Sequence, residues 1–363
     1  MTMEGIEKVA VLGAGNGGCA AAAVLTLRGC EVRLYSSTEG RLAPLRQGIT
    51  LRHAYEGVAR PSLMTTDLGR AVHGADLVML VVPAVAHEEY ARHLAQVLEP
   101  DQIVFLNPGH TGGGLHFANE LSKRGGPSVP LCESVTLTYI CRMEGDATIG
   151  VYRETENLRF AALPARKTGE LIEKLHPLFP NLRPAVNVFE TGLMNINAVI
   201  HPPGMLMNAG WIEFLKGEFL FYKESITPAV ARVIEQVDAE RLSLSRALGL
   251  QLPAFIDYFC EAGLTTEGAR QTGSVYRAMQ ESEANRSIRS PSSLNHRYVD
   301  EDVGYGLVPM SQLGILLGVE TPAMDSLIVL ASIARQKDYA KEGLTIDRMG
   351  VSDLSAGEIL AML

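Results

Sequence analysis

Three glycines near the start of the chain are spaced to grip a pyrophosphate. They lie in Lys8-Val-Ala-Val-Leu-Gly13-Ala14-Gly15-Asn16-Gly17-Gly18-Cys-Ala-Ala-Ala-Ala-Val24, where an apolar strand runs into the glycines and an alanine-rich helix starts directly after them. In that setting Gly13 allows the tight turn, Gly15 lets the backbone approach the phosphates, and Gly18 lets helix and strand pack closely. The helix N-terminus, with its unpaired N–H groups, then holds the anion. The competing reading is a glycine-rich turn in an ordinary βα unit. If a dinucleotide binds here, Ala14, Asn16 and Gly17 belong to its cradle too.

The residue that reads the adenosine ribose should end the second strand, Glu31-Val-Arg-Leu-Tyr-Ser36, about 20 residues past the glycines. An NAD(H) site usually has Asp or Glu there. This chain continues Ser36-Ser37-Thr38-Glu39-Gly40-Arg41 instead. Hydroxyls from Ser36 and Ser37 and the Arg41 guanidinium suit a 2′-phosphate, which arginine pairs bidentately. NADP(H) is therefore the favoured cofactor. NAD(H) stays possible, because Glu39 could turn inward. In the alternative, Ser36 to Thr38 only cap the next helix and Arg41 is a solvated charge.

Hydride chemistry also needs a proton donor or acceptor near neutral pH, a task that suits histidine. Of nine histidines, His53, His73, His87, His93, His116 and His176 sit in contexts that read as polar or helical surface. His110 lies in the loop His110-Thr111-Gly-Gly-Gly114 and is a weaker candidate. His201 differs: in Asn195-Ile-Asn197-Ala-Val-Ile-His201-Pro202-Pro203-Gly204 it is expected to end an apolar helix that two prolines stop. A histidine held there is either catalytic or a packed structural residue. A second cluster, Asn295-His-Arg297-Tyr-Val-Asp300-Glu301-Asp302-Val-Gly-Tyr-Gly-Leu-Val-Pro309, gathers an arginine, three acids and two tyrosines. Taken alone it reads as a polar loop between helices.

The elements that must position these residues follow from pattern. Asp76-Leu-Val-Met-Leu-Val-Val82 is a buried strand closed by Pro83, and Gln102-Ile-Val-Phe-Leu-Asn107-Pro-Gly109 is the next. Both loops should face the cofactor, because ligands of open α/β sheets bind beyond the carboxyl ends of strands. Pro130 to Tyr139 and Leu158 to Leu163 read as further strands. Alternation of strands and helices predicts a Rossmann-type parallel sheet covered on both faces over residues 1–189. From residue 190 to 363 the spacing is helical, as in Ile226 to Leu248, Ser311 to Leu317 and Thr321 to Ile333. The expected architecture is thus α/β, with an N-terminal parallel sheet and an all-helical C-terminal domain.

Bulk composition narrows the class. The 363 residues are 47% hydrophobic and 20% charged, as in ordinary globular proteins, with a net charge of −9. An acidic chain is a poor partner for nucleic acid or an anionic membrane. No apolar run reaches the length of a bilayer span, and the acidic opening Met1-Thr-Met-Glu-Gly-Ile-Glu does not read as a secretory leader. Five scattered cysteines without a CxxC suggest thiols in a reducing cytoplasm and no metal site.

Taken together, Asn195-x-Asn197-Ala-Val-x-His201-Pro202 and Arg297-Tyr-x-x-Glu301-Asp302-Val-x-x-Gly-Leu-Val-Pro309 resemble the octopine/nopaline (opine) dehydrogenase family. The likeness is greatest to its bacterial N-(1-D-carboxylethyl)-L-norvaline dehydrogenase branch. Asn107-Pro-Gly, Val237-Asp-Ala-Glu-Arg241 and Lys341-Glu-Gly343 extend it along most of the chain. The resemblance implies condensation of an amino acid with a 2-oxo acid such as pyruvate and reduction to an N-(1-carboxyalkyl)amino acid. It also implies a site between the two domains, His201 as catalytic histidine, Asp302 as its partner, and the motif arginine at Arg297. An arginine fork suits the carboxylates of such substrates.

Asn107, Thr111 and Asn197 are expected to line the substrate pocket. Met143, Met194, Met205, Trp211 and Phe214 hint at a bulky or hydrophobic amino donor. Ser36 departs from the norvaline-type pattern, which has an acid there, so NAD preference does not carry over. A homodimer is expected for the class. Two alternatives stay open: a ketopantoate-type 2-oxo acid reductase that uses no amine, and a non-catalytic NADP(H) sensor.

Overall fold

The computed structural model describes residues 5–355 and 357–359. The chain divides into two compact units, the first ending at Gly192 and the second starting at Leu193.

In the first unit, twelve strands build two sheets. They are β1 (Lys8–Leu12), β2 (Glu31–Tyr35), β3 (Ile49–His53), β4 (Gly57–Ala59), β5 (Leu63–Thr65), β6 (Leu77–Leu80), β7 (Ile103–Leu106), β8 (Leu131–Ser134), β9 (Tyr139–Gly145), β10 (Thr148–Glu154), β11 (Leu158–Leu163) and β12 (Leu182–Pro184). The larger sheet runs β12-β11-β8-β7-β6-β1-β2-β5. Its strands from β5 across to β8 are mutually parallel, and the edge pair β11 and β12, parallel to each other, runs the opposite way, β11 lying antiparallel to β8. A smaller sheet, β4-β3-β10-β9, mixes both directions.

The expected Rossmann-type parallel sheet is present, extended at one edge by strands of opposite direction and accompanied by a second, mixed sheet. The run Pro130 to Tyr139 holds β8 and then only the first residue of β9, which belongs to the other sheet. The chain turns between them because the Ser134 hydroxyl donates to the Thr136 carbonyl (2.9 Å), and Asn107 binds both Ser134 Oγ (2.6 Å) and the same carbonyl (3.3 Å).

Helix α1 (Asn16–Leu27) covers β1 with a face of alanines, and Ala20 to Val24 are all fully buried. Small side chains let the helix axis approach the sheet closely. A Cβ on Gly18 would lie 1.7 Å from the Gly13 carbonyl oxygen, and one on Gly13 (φ +116°) 2.3 Å from that of Val81. No other residue fits either place. Helix α2 (Gly113–Lys123) follows the loop after β7, with Gly112 in the left-handed region at its start.

The second unit is helical. It contains α3 (Asn197–Leu206), α4 (Pro228–Ala247), α5 (Arg297–Asp302), α6 (Val308–Leu317) and α7 (Pro322–Arg335), together with shorter helices. Thr227 caps α4 by accepting from Val230 N, and Pro228 opens it where a missing N–H costs nothing. The acid-rich face of α4 is structural. Arg241, 1% exposed, binds Asp238, the Leu193 carbonyl (3.0 Å) and the Pro253 carbonyl (2.7 Å). Glu240 accepts from Ala323 N and Met324 N (2.9 and 3.0 Å), capping α7 where a helix end favours negative charge. Among the described residues no helix is long and apolar enough to cross a membrane.

Candidate active site

The candidate dinucleotide cradle lies in the first unit, where β1 meets α1. The position of a Cβ on Gly15 is open space, whereas Gly13, Gly17 and Gly18 are hemmed in. Backbone is thus bare only at the glycine that must approach a phosphate. Gly15 precedes α1 without any side-chain cap, so the first-turn N–H groups stay available to an anion. These residues fit a bound dinucleotide. Ala14 is half-buried, and Pro83 is exposed at the end of β6. Asn16 accepts from Met143 N (3.0 Å), which ties the helix start to β9.

At the end of β2 no carboxylate takes the ribose position. Ser36 is buried and its hydroxyl accepts from Thr38 N (3.3 Å), while Ser37 and Arg41 are exposed. Glu39 is engaged by Arg46, at 2.6 and 3.0 Å.

The second constellation lies wholly within the second unit. His201 Nδ1 is 2.7 Å from Asp302 Oδ2, and Nε2 is 2.8 Å from the Tyr222 hydroxyl. The Tyr298 ring stacks on the imidazole at 3.6 Å and 14°. Both His201 and Asp302 are buried. Since a carboxylate only accepts, Nδ1 carries the hydrogen and Nε2 faces Tyr222 as an acceptor. His201 was expected to end its helix; instead Pro202 and Pro203 sit inside α3. They remove the N–H donors for the Ala198 and Val199 carbonyls, at a cost of about 3 kcal/mol or more each. Buried packing around α3 sustains this. Asn208 Nδ2 ties its far end to the Gly204 and Ser225 carbonyls (2.8 and 3.2 Å).

Two wide helical turns bring the partners in. Tyr222 lies on the π-helical turn Phe221–Ser225, and Asp302 immediately precedes the turn Val303–Leu307. Such turns are rare and recur at functional sites. Each turn packs onto α3 through a glycine. A Cβ on Gly204 would meet Phe221 Cζ at 2.8 Å, and one on Gly306 would meet Ala198 Cβ at 2.5 Å. The cluster read as a possible polar loop is thus mostly helix. His296 accepts from Tyr298 N at the start of α5, and burial and the Arg297 charge hold its pKa down.

Arg297 projects from α5 with its side chain 64% exposed, and its Nε lies 4.0 Å from Glu301. A guanidinium so placed can take up a carboxylate. Burial, reinforced by Tyr298 and the Asp302 charge, holds the Tyr222 phenol well above its usual pKa, with Arg297 opposing. Tyr222 stays protonated.

Other expected residues have different surroundings. Asn107 is buried, and its amide is spent on Ser134, Thr136 and Thr138. Thr111 is buried and donates to the Gly192 carbonyl (3.0 Å). Asn197 opens α3 and is half-buried. Met194 and Met205 are core residues, Met143 packs against the core of the first unit, and Phe214 is 83% exposed. Trp211 stacks on Phe219 at 4.1 Å. His87 and His116 were expected at the surface but are buried, and desolvation, with His110 and His116 adding to it, keeps His87 well below its usual pKa. Apolar neighbours, Leu115 and Phe117 around His116 and Ala84 to Ala86 before His87, were the local signal of that burial. Among the described residues, no group of three or more histidines, cysteines or acids could hold a metal.

Comparison with known proteins gives the family. The model of the NAD/NADP octopine/nopaline dehydrogenase α-helical domain matches residues 184–335, and that of the NAD-dependent glycerol-3-phosphate dehydrogenase N-terminus matches 8–121. An opine dehydrogenase of Arthrobacter sp. (strain 1C) is 37% identical over 96% of this chain and 97% of its own length. The chain belongs to the octopine/nopaline dehydrogenase family. A family member of this kind is an NAD(P)H-dependent oxidoreductase that condenses an amino acid with a 2-oxo acid reductively. Vitopine synthase of Allorhizobium ampelinum is 30% identical over 85% of this chain and 83% of its own. The fold is shared with octopine dehydrogenase solved with NADH and L-arginine (TM-score 0.78, 21% identity, 98% of each chain). It is also shared with NADP+-bound yersinopine dehydrogenase (TM-score 0.73, 16% identity, 98% and 97%).

Tyr222 went unremarked at the sequence level. Its signal is the aromatic run Phe219-Leu-Phe-Tyr222 just before the Thr227-Pro228 helix start.

Proposed function

We propose that this enzyme condenses pyruvate, or a close 2-oxo acid, with an amino acid and uses NADPH in preference to NADH. His201 is its general acid and base, Asp302 its orienting partner, and Arg297 its carboxylate clamp. The buried His201–Asp302 pair at 2.7 Å carries this reading, because it presents one tautomer of a titratable base.

A bound nicotinamide, held by Gly13, Gly15 and the start of α1, supplies hydride. The chain's own residues do the rest. His201 is the base that receives the proton lost by the ammonium of the amino substrate, so that the nitrogen lone pair can attack the 2-oxo carbon. It returns the proton to the carbinolamine oxygen, which leaves as water. Asp302 stabilises the imidazolium formed in between. Arg297 pairs with a substrate carboxylate and fixes the carbon that accepts hydride.

NADPH preference is supported by the absence of an acid closing β2 and by the engagement of Glu39 with Arg46. The unpaired state of all five cysteines supports a cytoplasmic location. Exposed Ile315, Val329, Leu330 and Ile333 offer apolar surface for a homodimer.

The test is the initial rate of NADPH and of NADH oxidation with pyruvate and a panel of amino acids. Oxidation that needs the amine, with kcat/KM higher for NADPH, is expected. Oxidation by pyruvate alone makes the enzyme a simple 2-oxo acid reductase.

A further inference from the structure

We propose that the Tyr222 hydroxyl, and not His201 directly, exchanges the proton with the substrate, so that Asp302, His201 and Tyr222 form one relay. The inference rests on the reading of His201 as general acid and base. Both imidazole nitrogens are occupied, Nδ1 by Asp302 (2.7 Å) and Nε2 by Tyr222 (2.8 Å). The ring itself is covered. Tyr298 stacks on it at 3.6 Å, and Phe221 lies 6.1 Å away at a tilt. A substrate can reach Nε2 only by expelling Tyr222, whose turn is wedged against α3 at Gly204.

The surroundings of Tyr222 point the same way. Its hydroxyl also shares a side-chain hydrogen bond with Tyr298 and is near enough to feel the charges of Asp302 and, in the opposite sense, Arg297. The phenol can donate its hydrogen to Nε2 while its oxygen keeps lone pairs that can accept a proton from a substrate, which is what a relay needs.

The steps balance. Tyr222 Oη takes a proton from the substrate ammonium while its own proton passes to His201 Nε2, giving imidazolium paired with Asp302. The free amine attacks the 2-oxo carbon, and one nitrogen proton moves to the oxygen to give the carbinolamine. Tyr222 then gives its proton to that hydroxyl and recovers one from Nε2. The C–O bond breaks, water leaves, and the nitrogen lone pair closes the iminium. His201 ends neutral, and the relay is reset.

Replacing Tyr222 by Phe removes one oxygen and keeps the ring. With saturating pyruvate and amino acid, Tyr222→Phe should lower kcat about 100-fold, within the range for general acid–base groups. NADPH affinity, read by fluorescence titration, should stay unchanged. In H2O/D2O mixtures kcat of the wild type should bow, as two protons move in the relay. The residual rate of the variant should vary linearly.

His201→Ala is assayed alongside. Loss of turnover in His201→Ala with wild-type kcat in Tyr222→Phe overturns the relay and leaves the histidine's role intact. Wild-type turnover in both overturns the underlying reading. If the Phe variant does not fold, 3,5-difluorotyrosine at position 222 keeps the shape and makes the phenol more acidic. A severalfold change in kcat is then expected, and an unchanged kcat contradicts the relay.

Discussion

At the scale of single residues, charge placement separates working groups from structural ones. Arg297 is the exposed cation beside the His201 constellation, whereas Arg241 is sealed in the interior and spends its donors on carbonyls and Asp238. Arg297→Gln should therefore lower kcat/KM for the 2-oxo acid about 10- to 100-fold, the worth of hydrogen bonds to a charged group. Initial rates at varied pyruvate check this; an unchanged value removes Arg297 from substrate binding.

Glu133 is a different case. It is fully buried, and burial pushes its pKa up to about 8. Its Oε2 accepts from Gly114 N at 2.9 Å, and Oε1 bonds the Thr191 hydroxyl. That hydroxyl also meets the Val188 carbonyl at 3.0 Å, which can only accept. Thr191 donates to Glu133, and its single proton can turn to the Val188 carbonyl when the carboxyl group is protonated. A folded-state pKa above the unfolded one means the native state binds more protons in between. The resulting stability is present below the usual carboxylate pKa of 4.5 and is lost as pH rises towards about 8. Glu133→Gln keeps both hydrogen bonds and cannot titrate. The decline of its Tm across that window should be shallower than that of the wild type; parallel curves would mean Glu133 is ionised in the fold.

At the scale of elements, the dyad is assembled by irregular helix. A double proline within α3 and two π-helical turns place His201, Tyr222 and Asp302, and glycines at 204 and 306 let the turns close on α3. Gly204→Ala would push its Cβ against Phe221 Cζ at 2.8 Å and Ile226 Cδ1 at 3.2 Å. Overpacking of this kind costs about 1–3 kcal/mol. Because Phe221 adjoins Tyr222, turnover should fall more than stability does. Thermal melts beside kcat check this, and a variant that melts early but turns over normally contradicts it.

The strands, the glycine turn and the long helices were legible from periodicity and punctuation. The continuation of α3 past its prolines was not, because proline's local rule ends helices and only tertiary packing sustains this one. Asn107 read as a pocket residue because it closes a strand where ligands bind. Its amide instead fastens a turn that no local pattern shows. His201 and Asp302, 101 residues apart, were joined beforehand only by family likeness. Tyr222 had only its aromatic run to mark it, with nothing to tie it to His201.

At the scale of the whole molecule, the proposed function divides the chemistry between the two units. The bare Gly15 backbone and the uncapped start of α1 lie in the first unit, and the His201–Asp302–Tyr222 constellation with Arg297 in the second. Coenzyme affinity and proton transfer should therefore respond to separate substitutions. The most direct measurement is kcat of His201→Ala with pyruvate and amino acid saturating, taken together with its dissociation constant for NADPH. A fall in kcat of about 10²- to 10⁴-fold with an unchanged NADPH constant is expected. Turnover at the wild-type rate would contradict the assignment of His201 as the acid and base of this reaction.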